Sequence, residues 1–376
     1  MITEKMLQAM LSDSLSDNIV FSPYSILTAL CVLADGAGGK TRQEIVNTLS
    51  SEIPEDIKSG EGDTFRLFRD RILDHDDRGD QEYKWDGVFE TANALCIKER
   101  YAPRLTQSFL DIFRSQYAGE VFSGQHLAKD ANSWVSRKTK GIIPKILDEG
   151  SSGEMDACLL NTVAFIKGWS DEYEKEDIEK DRDFYCADGS VRKVTMLHSI
   201  EDCYTETDDY QAFTKDYADP RFAYLAIVPK DGDTDSSPDR MEELVGKVGF
   251  SHIFQSMDYQ RVYVTMPEYK AEFSCELSHI LGEMGIRDTF SPEADFSPMC
   301  DDDFYVQKIL HRARISVTRK GTEAAAATAC LVLAGCLMPE EPKKSIVLDH
   351  PFLYAVMDKK TGIPVFAGCI NTIGRM

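Results

Sequence analysis

The side chains that could act chemically in this chain are thiols, imidazoles and carboxylates, and their spacing limits what they can do. Ten cysteines are scattered from Cys31 to Cys369. None forms a Cys-x-x-Cys pair and none has a histidine at metal-ligand spacing, so the pattern indicates neither a zinc site nor a dithiol motif. Seven histidines are dispersed, and nothing local supports a Cys–His nucleophile. No Gly-x-Ser-x-Gly elbow occurs. "GAGGKT" at Gly36 lacks the spacing and the preceding strand of a phosphate loop. "DGDTDSSPDRME" from Asp231 puts acids at positions one, three, five, nine and twelve of an EF-hand count. However, Ser236 stands where the turn glycine belongs, and a strand precedes the run. The same residues suit a helix start, with Ser237 as cap, Pro238 in the first position and Asp239 at the positive end. No metal and no cofactor is expected.

Bulk properties narrow the classes further. The 376 residues are 43% hydrophobic and 28% charged, an ordinary globular balance able to bury a large core. The net charge of -22 disfavours nucleic acid and anionic membrane as partners, since both repel an acidic surface. No apolar run approaches a membrane span. "MITEKMLQAMLSDSLSDN" reads as a short amphipathic helix rather than a secretory signal. No Asn-x-Ser/Thr sequon is present. Free, buried thiols are the expectation for the cysteines. The compartment stays open between cytoplasmic and a trimmed secreted form.

The elements that must position any site follow from periodicity. "NIVFSPYSILTAL" from Asn18 reads as a short strand, a turn at Ser22-Pro23 and an apolar helix ending near Gly36, with Thr41 available to cap the next helix. "SFLDIFRSQY" and "AKDANSWVSRKTKGIIPKIL" have helical spacing. "TANALCIKE", "CLLNTVAFIKGW", "RFAYLAIVP", "RVYVTMPEYKAEF" and "KILHRARISVT" read as strands. The acidic stretches Asp74 to Asp80 and Ser170 to Asp183 read as solvated faces or loops. The three arginines of "FRLFRDRI" from Phe65 lie among acids and read as a solvated helix face. Helices crowd the first half and strands the second, which predicts an α+β fold with helices on one large sheet. His311, in a strand beside Arg312 and Arg314, and Trp134 and Trp169 read as core groups. One segment fits no element cleanly. "RKGTEAAAATACLVLAGCLMPEEP" from Arg319 could start a helix at Thr322, yet it is flanked by strands on both sides.

Taken together, these segments resemble the serpin family of serine protease inhibitors over nearly the whole chain. "NIVFSPYSILTAL" resembles the family's opening strand and helix, and "ANSWVSRKTKGIIPKIL" the helix that crosses its main sheet. "NTVAFIKGW" is similar to the strand bearing the shutter asparagine and breach tryptophan, here Asn161 and Trp169. "DHPFLYAVMDKKTGIPVFAGCI" resembles the C-terminal hairpin, and "KGTEAAAAT" the inhibitory hinge. The resemblance implies a single serpin domain over residues 1–376, with three β-sheets, eight or nine helices and an exposed reactive-centre loop at about 321–344. It implies a suicide-substrate inhibitor and not an enzyme. A protease cuts the loop, whose N-terminal part then enters the central sheet and traps the acyl-enzyme. The implied hinge is Gly321, Thr322, Glu323, Ala324, Ala325, Ala326, Ala327 and Thr328. The implied shutter set is Ser22, Ser25, Asn161 and His311.

The residues fit that use. A segment entering a sheet must satisfy every new backbone donor, so it must lack proline, and Thr322 to Gly335 has none. If Thr322 points inward, so do Ala324, Ala326, Thr328, Cys330 and Val332, all small or apolar. As a strand these residues span roughly 45 Å. Two departures from the family pattern stand out. Arg319 occupies the position of a hinge acid, and Glu268 that of its lysine partner, which reads as one ion pair with its signs exchanged. Counting from the hinge puts the scissile bond at Gly335–Cys336, with Leu337 and Met338 as alternatives. "VLAG" before "CLM" offers no charge, so the expected partner is an elastase-like serine protease, with chymotrypsin-like or subtilisin-like enzymes next. A monomer is expected. The competing readings are a non-inhibitory carrier, chaperone or storage protein of the same fold, and a thiol hydrolase.

Overall fold

The computed structural model describes residues 1–13, 17–59, 61–74, 87–124, 126–148, 156–230, 238–322 and 344–374. The opening half is helical as its periodicity predicts: α1 (Ile2–Asp13), β1 (Ile19–Phe21), α2 (Pro23–Gly36), α3 (Gly39–Leu49), the single turn α4 (Glu55–Lys58) and α5 (Thr64–Leu73). β2 (Gly87–Ile97), α6 (Gln107–Tyr117), β3 (Glu120–Phe122), α7 (Leu127–Lys138) and β4 (Ala157–Gly168) follow. Strands then dominate: β5 (Ile178–Tyr185), β6 (Val191–Glu206), β7 (Tyr210–Asp216) and β8 (Phe222–Pro229). After α8 (Pro238–Lys247) and α9 (Phe250–Gln255) come β9 (Asp258–Pro267), β10 (Tyr269–Glu276), α10 (Ser278–Glu283) and β11 (Lys308–Thr318). The two-residue β12 (Gly321–Thr322) precedes β13 (Lys344–Val347), β14 (Phe352–Asp358) and β15 (Pro364–Ile370).

Hydrogen bonding groups the described strands into a six-stranded sheet, β10-β11-β12-β4-β2-β3, and a nine-stranded path, β1-β15-β14-β8-β7-β6-β9-β13 with β5 on β6. The long β6 makes the second path continuous. It pairs with β5 and β9 along most of its length and with β7 only over Cys203–Glu206, so two of the three expected sheets run into one another. β4 is buried on both faces. Val163 and Phe165 join the aromatic core between the sheets, while Cys158 and Leu160 lie with Trp134 and Val135 of α7. That explains its nearly unbroken apolar sequence. α2 is buried at all but one position. Its start is set by Ser22, whose Oγ accepts the Ser25 N–H at 3.1 Å, and by Pro23 at the first helical position.

Three local expectations need correction. Thr41 does not cap α3. The helix starts at Gly39, and the Thr41 hydroxyl instead donates to Asp288 Oδ2 at 2.6 Å. The second acidic stretch is a largely solvated face but not all loop, since Ile178–Tyr185 forms β5; among the described strands it pairs with β6 alone, so most of its residues are exposed and no alternation marks it. The helical pattern of residues 128–147 holds only to Lys138, and positive φ at Lys140 and Gly141 turns the chain away. The stretch 75–86, and residues 231–237 of the acidic run, lie outside the described residues.

Candidate functional site

The central feature is an incomplete junction between β4 and β11. The two strands pair directly, in parallel, only from Lys308–Cys158 to His311–Asn161. Above that seam, no described residue pairs with residues 162–166 on this edge. At the top of the gap, β12 fills the space, pairing antiparallel with both neighbours. Thr322 lies opposite Val317 on one side and Lys167 on the other. Gly321 lies opposite Thr318 and Gly168. The close approach requires glycine, because Gly321 has φ +142° and an added Cβ would meet the Lys167 carbonyl oxygen at 2.2 Å.

An aromatic platform holds this entry point. The Trp169 indole N–H donates to the Thr318 carbonyl at 2.8 Å, and its backbone N–H donates to the Lys320 carbonyl at 3.2 Å. Its ring stacks on Tyr217 with centroids 4.6 Å apart. The Tyr217 hydroxyl lies 2.7 Å from Thr322 Oγ1. Burial pushes the Tyr217 phenol well above its ordinary pKa, so it remains protonated. Behind Trp169, Lys215 Nζ meets Glu201 Oε1 at 2.9 Å in a nearly buried pair. Glu268 Oε1 accepts the Arg319 backbone N–H at 2.8 Å. The contact between Arg319 and Glu268 thus runs through the main chain. Among the described residues, no guanidinium–carboxylate pair joins them.

At the lower end, the four residues named by resemblance come together. The Ser22 N–H donates to His311 Nε2 at 3.0 Å. The Ser25 hydroxyl donates to Asn161 Oδ1, and Asn161 Nδ2 donates to Asn93 Oδ1 at 2.8 Å. All five residues are buried. Because Nε2 is the acceptor, neutral His311 carries its proton on Nδ1, which has no partner among the described residues. Burial lowers the His311 pKa to about 4, so it is uncharged at neutral pH. Asn93 was not singled out from sequence, although an asparagine amid the apolar alternation of "TANALCI" is the signal that could have found it. Tyr217 had no comparable signal.

The chain leaving α7 crosses to β11 as a strap. Arg312 Nη1 donates to the Lys145 carbonyl at 2.6 Å, and Arg314 Nη1 donates to the Ile142 carbonyl at 3.3 Å. Asn132 on α7 draws in the strap's far end, accepting from Ile146 and Leu147 N–H at 2.8 and 2.9 Å.

The chemistry available here is hydrogen-bond exchange rather than bond cleavage. Cys275 stands opposite His311 in the β10–β11 register, yet burial pushes its thiol up to about 12 while the imidazole is pushed down. A thiolate–imidazolium pair is therefore disfavoured. The eight described cysteines are free thiols. Of the residues expected to act, Gly321, Thr322, Arg319, Glu268, Trp169, Ser22, Ser25, Asn161 and His311 are placed by the structure. Glu323 to Thr328, Gly335, Cys336, Leu337 and Met338 lie outside the described residues.

Comparison with known proteins fits this arrangement. A family model described as Serpin (serine protease inhibitor) matches residues 2–373. An uncharacterised serpin-like protein of Thermococcus kodakarensis is 30% identical over 363 residues, covering 94% of this chain and 80% of its own. Serpin B6 of Macaca fascicularis is 29% identical over 367 residues, covering 94% and 93%. The native state of the thermophilic serpin tengpin superposes with a TM-score of 0.79 at 26% identity, covering 99% of this chain and 93% of that one. Thyroxine-binding globulin in complex with thyroxine gives a TM-score of 0.79 at 22% identity, covering 100% and 98%, which is a likeness of fold alone.

Proposed function

Since the chain belongs to the serpin family, we propose that it is an inhibitory member, a suicide substrate for elastase-like serine proteases. A protease attacks the segment after Thr322, at Gly335–Cys336 or after Cys336, Leu337 or Met338. Before the acyl-enzyme is hydrolysed, the segment enters the gap between β4 and β11 and carries the protease with it. Stability before cleavage is then kinetic, and insertion releases the stored difference.

The observation that carries this reading is the seating of Gly321 and Thr322 between β4 and β11. Thr322 is opposite Val317 and Lys167. Continuing both antiparallel registers puts Ala324 between Ile315 and Phe165, and Thr328 between His311 and Asn161. The two strands define these registers separately, and they agree at each position. The first proline-free, small residues of the segment would thus fill the gap above the seam, and from Thr328 on they would replace the direct β4–β11 pairing. A hydroxyl would arrive beside the histidine whose Nδ1 lacks a partner among the described residues. Each inserted residue gains backbone partners on both edges, where the seam supplied them on one.

The test is incubation with neutrophil elastase, chymotrypsin, subtilisin and papain, followed by denaturing electrophoresis and sequencing of the released C-terminal peptide. A covalent band with elastase, and a peptide beginning at Cys336, Leu337, Met338 or Pro339, is the expected result. Clean cleavage without a band by every protease would instead indicate a non-inhibitory carrier on the same fold.

A further inference from the structure

We infer that the face beside the hinge entry binds a compact multivalent oxyanion of the polyphosphate class. A cavity of about 670 Å³ is lined by Lys175, Ile178, Lys180, Thr195, Glu268 and Arg319. A smaller one of about 290 Å³ shares Lys180, Thr195 and Glu268 with it, extending the depression toward Asp181, Lys193 and Ile373. The larger volume greatly exceeds that of one water, about 30 Å³, so it has room for a ligand of many atoms.

The charge is the unusual part. In a chain of net charge -22, most basic side chains near the surface have a carboxylate close by. Lys175, Lys180 and Arg319 form no ion pair with the described residues, and all three line the one cavity. Two of the neighbouring carboxylates are already engaged, while Asp181 lines the smaller cavity beside Lys180. Asp177 Oδ2 accepts the Glu174 N–H at 2.9 Å, and Glu179 meets Arg182 at 3.3 Å and His198 at 3.2 Å. Lys193 is neutralised by Asp183 at 2.8 Å. The one carboxylate in the larger cavity is Glu268, whose Oε1 accepts the Arg319 N–H. It repels an anion from that wall and directs it toward the two lysines and the Arg319 guanidinium. The Thr195 hydroxyl can add a donor, and Ile178 an apolar wall.

The acidic remainder of the protein does not cancel this site. At physiological ionic strength charges are screened beyond about 8 Å, so distant acids weigh little against the larger cavity's own lining of three basic residues and one acid. One arginine and two lysines lining one space suit several linked phosphoryl oxygens better than a single carboxylate. Arg319 also gives the site a mechanical link. Its carbonyl accepts the Tyr173 N–H at 3.2 Å, two residues before Gly321. An anion bridging Arg319 to Lys175 and Lys180 would fix the chain where it turns into the sheet. This link rests on the inhibitory reading, whereas binding itself does not.

The experiment is calorimetric titration of the intact protein with inorganic tripolyphosphate, with orthophosphate and sulfate at matched ionic strength as separate arms. Saturable 1:1 binding of tripolyphosphate is expected, at least tenfold tighter than either single oxyanion. The paired change Lys175→Ala and Lys180→Ala, and separately Arg319→Ala, should each weaken it tenfold or more. Lys129→Ala, on exposed α7 surface, should leave it unchanged. Equal affinity for sulfate and tripolyphosphate, no saturation by 10 mM (about the range where binding is no longer specific), or indifference to the lysine changes would overturn the assignment. These outcomes do not depend on trapping a protease, so failure here and failure of the inhibitory reading are separately visible.

Discussion

The hydroxyls of Tyr217 and Thr322 meet at 2.7 Å across 105 residues of sequence, joining the platform under the hinge to the first residue that enters the sheet. Tyr217→Phe keeps the stack on Trp169 and removes only this bond. A buried hydroxyl left without its partner costs about 1–3 kcal/mol. Hydrogen exchange at the Thr322 amide should quicken at least tenfold while global melting falls only slightly. Unchanged exchange at that amide would show that the bond does not hold the hinge.

The shutter should resist change more strongly. Asn161 is buried and bonded to Ser25 on one side and Asn93 on the other. Asn161→Ala strands both partners, and a loss of about 2–5 kcal/mol is expected. Spontaneous conversion to an inactive, more heat-resistant form should accelerate. Asn93→Ala should act in the same direction but more weakly, because Asn93's other bond, to the Tyr117 carbonyl, is long at 3.4 Å.

His311 predicts a pH window. Its folded pKa is about 4, below the ordinary histidine value of 6.5. The unfolded chain therefore takes up a proton between pH 6.5 and 4 that the folded chain refuses. The stability it contributes is complete above pH 6.5 and falls as pH drops through the window, by up to roughly 3 kcal/mol. Protonating Nε2 would also displace the Ser22 N–H. Urea titrations of His311→Gln should lose this part of the acid slope, and an unaltered slope would assign it to other groups.

Arg319 and Glu268 can be separated by a double-mutant cycle. The observed contact uses the Arg319 backbone, so Arg319→Ala should leave it intact while Glu268→Ala breaks it. If the side chains act as an exchanged ion pair, Arg319→Glu with Glu268→Arg should restore an insertion rate that each single change disturbs. Coupling below about 0.5 kcal/mol would mean the sites are independent.

The strap offers a test of the barrier. Arg312 and Arg314 hold the carbonyls of Lys145 and Ile142 over the junction that parts in the proposed mechanism. Replacing both with alanine removes two charge-assisted bonds, each worth about 1.5–3 kcal/mol. Loop entry, followed by fluorescence at Trp134, should speed up several-fold. A slower rate would show that the strap guides the strand rather than blocking it.

Much of this architecture was legible because burial writes itself into sequence. β4 reads as a strand since both of its faces are covered, and α2 reads from Ser22-Pro23 followed by an apolar run. β5 did not, because it is an edge strand with exposed charges. Thr41 is a plausible cap in sequence, but Asp288, distant in the chain, claims its hydroxyl. The shutter group was found only through resemblance to a family, since Ser22, Asn161 and His311 carry no local pattern. Nor could sequence show that Glu268 faces the backbone of Arg319, because that depends on how the turn between β9 and β10 is aimed.

β2 holds β4 over eleven residue pairs and β10 holds β11 over eight, yet β4 and β11 hold each other over four. Although the short β3 at the rim is held over three pairs, the least-paired junction among the sheet's long strands is therefore the central one. Mild warming or dilute denaturant should part it while the outer strands stay whole. Two batches of one sequence in one buffer could then differ in activity because of how each was expressed, thawed or refolded.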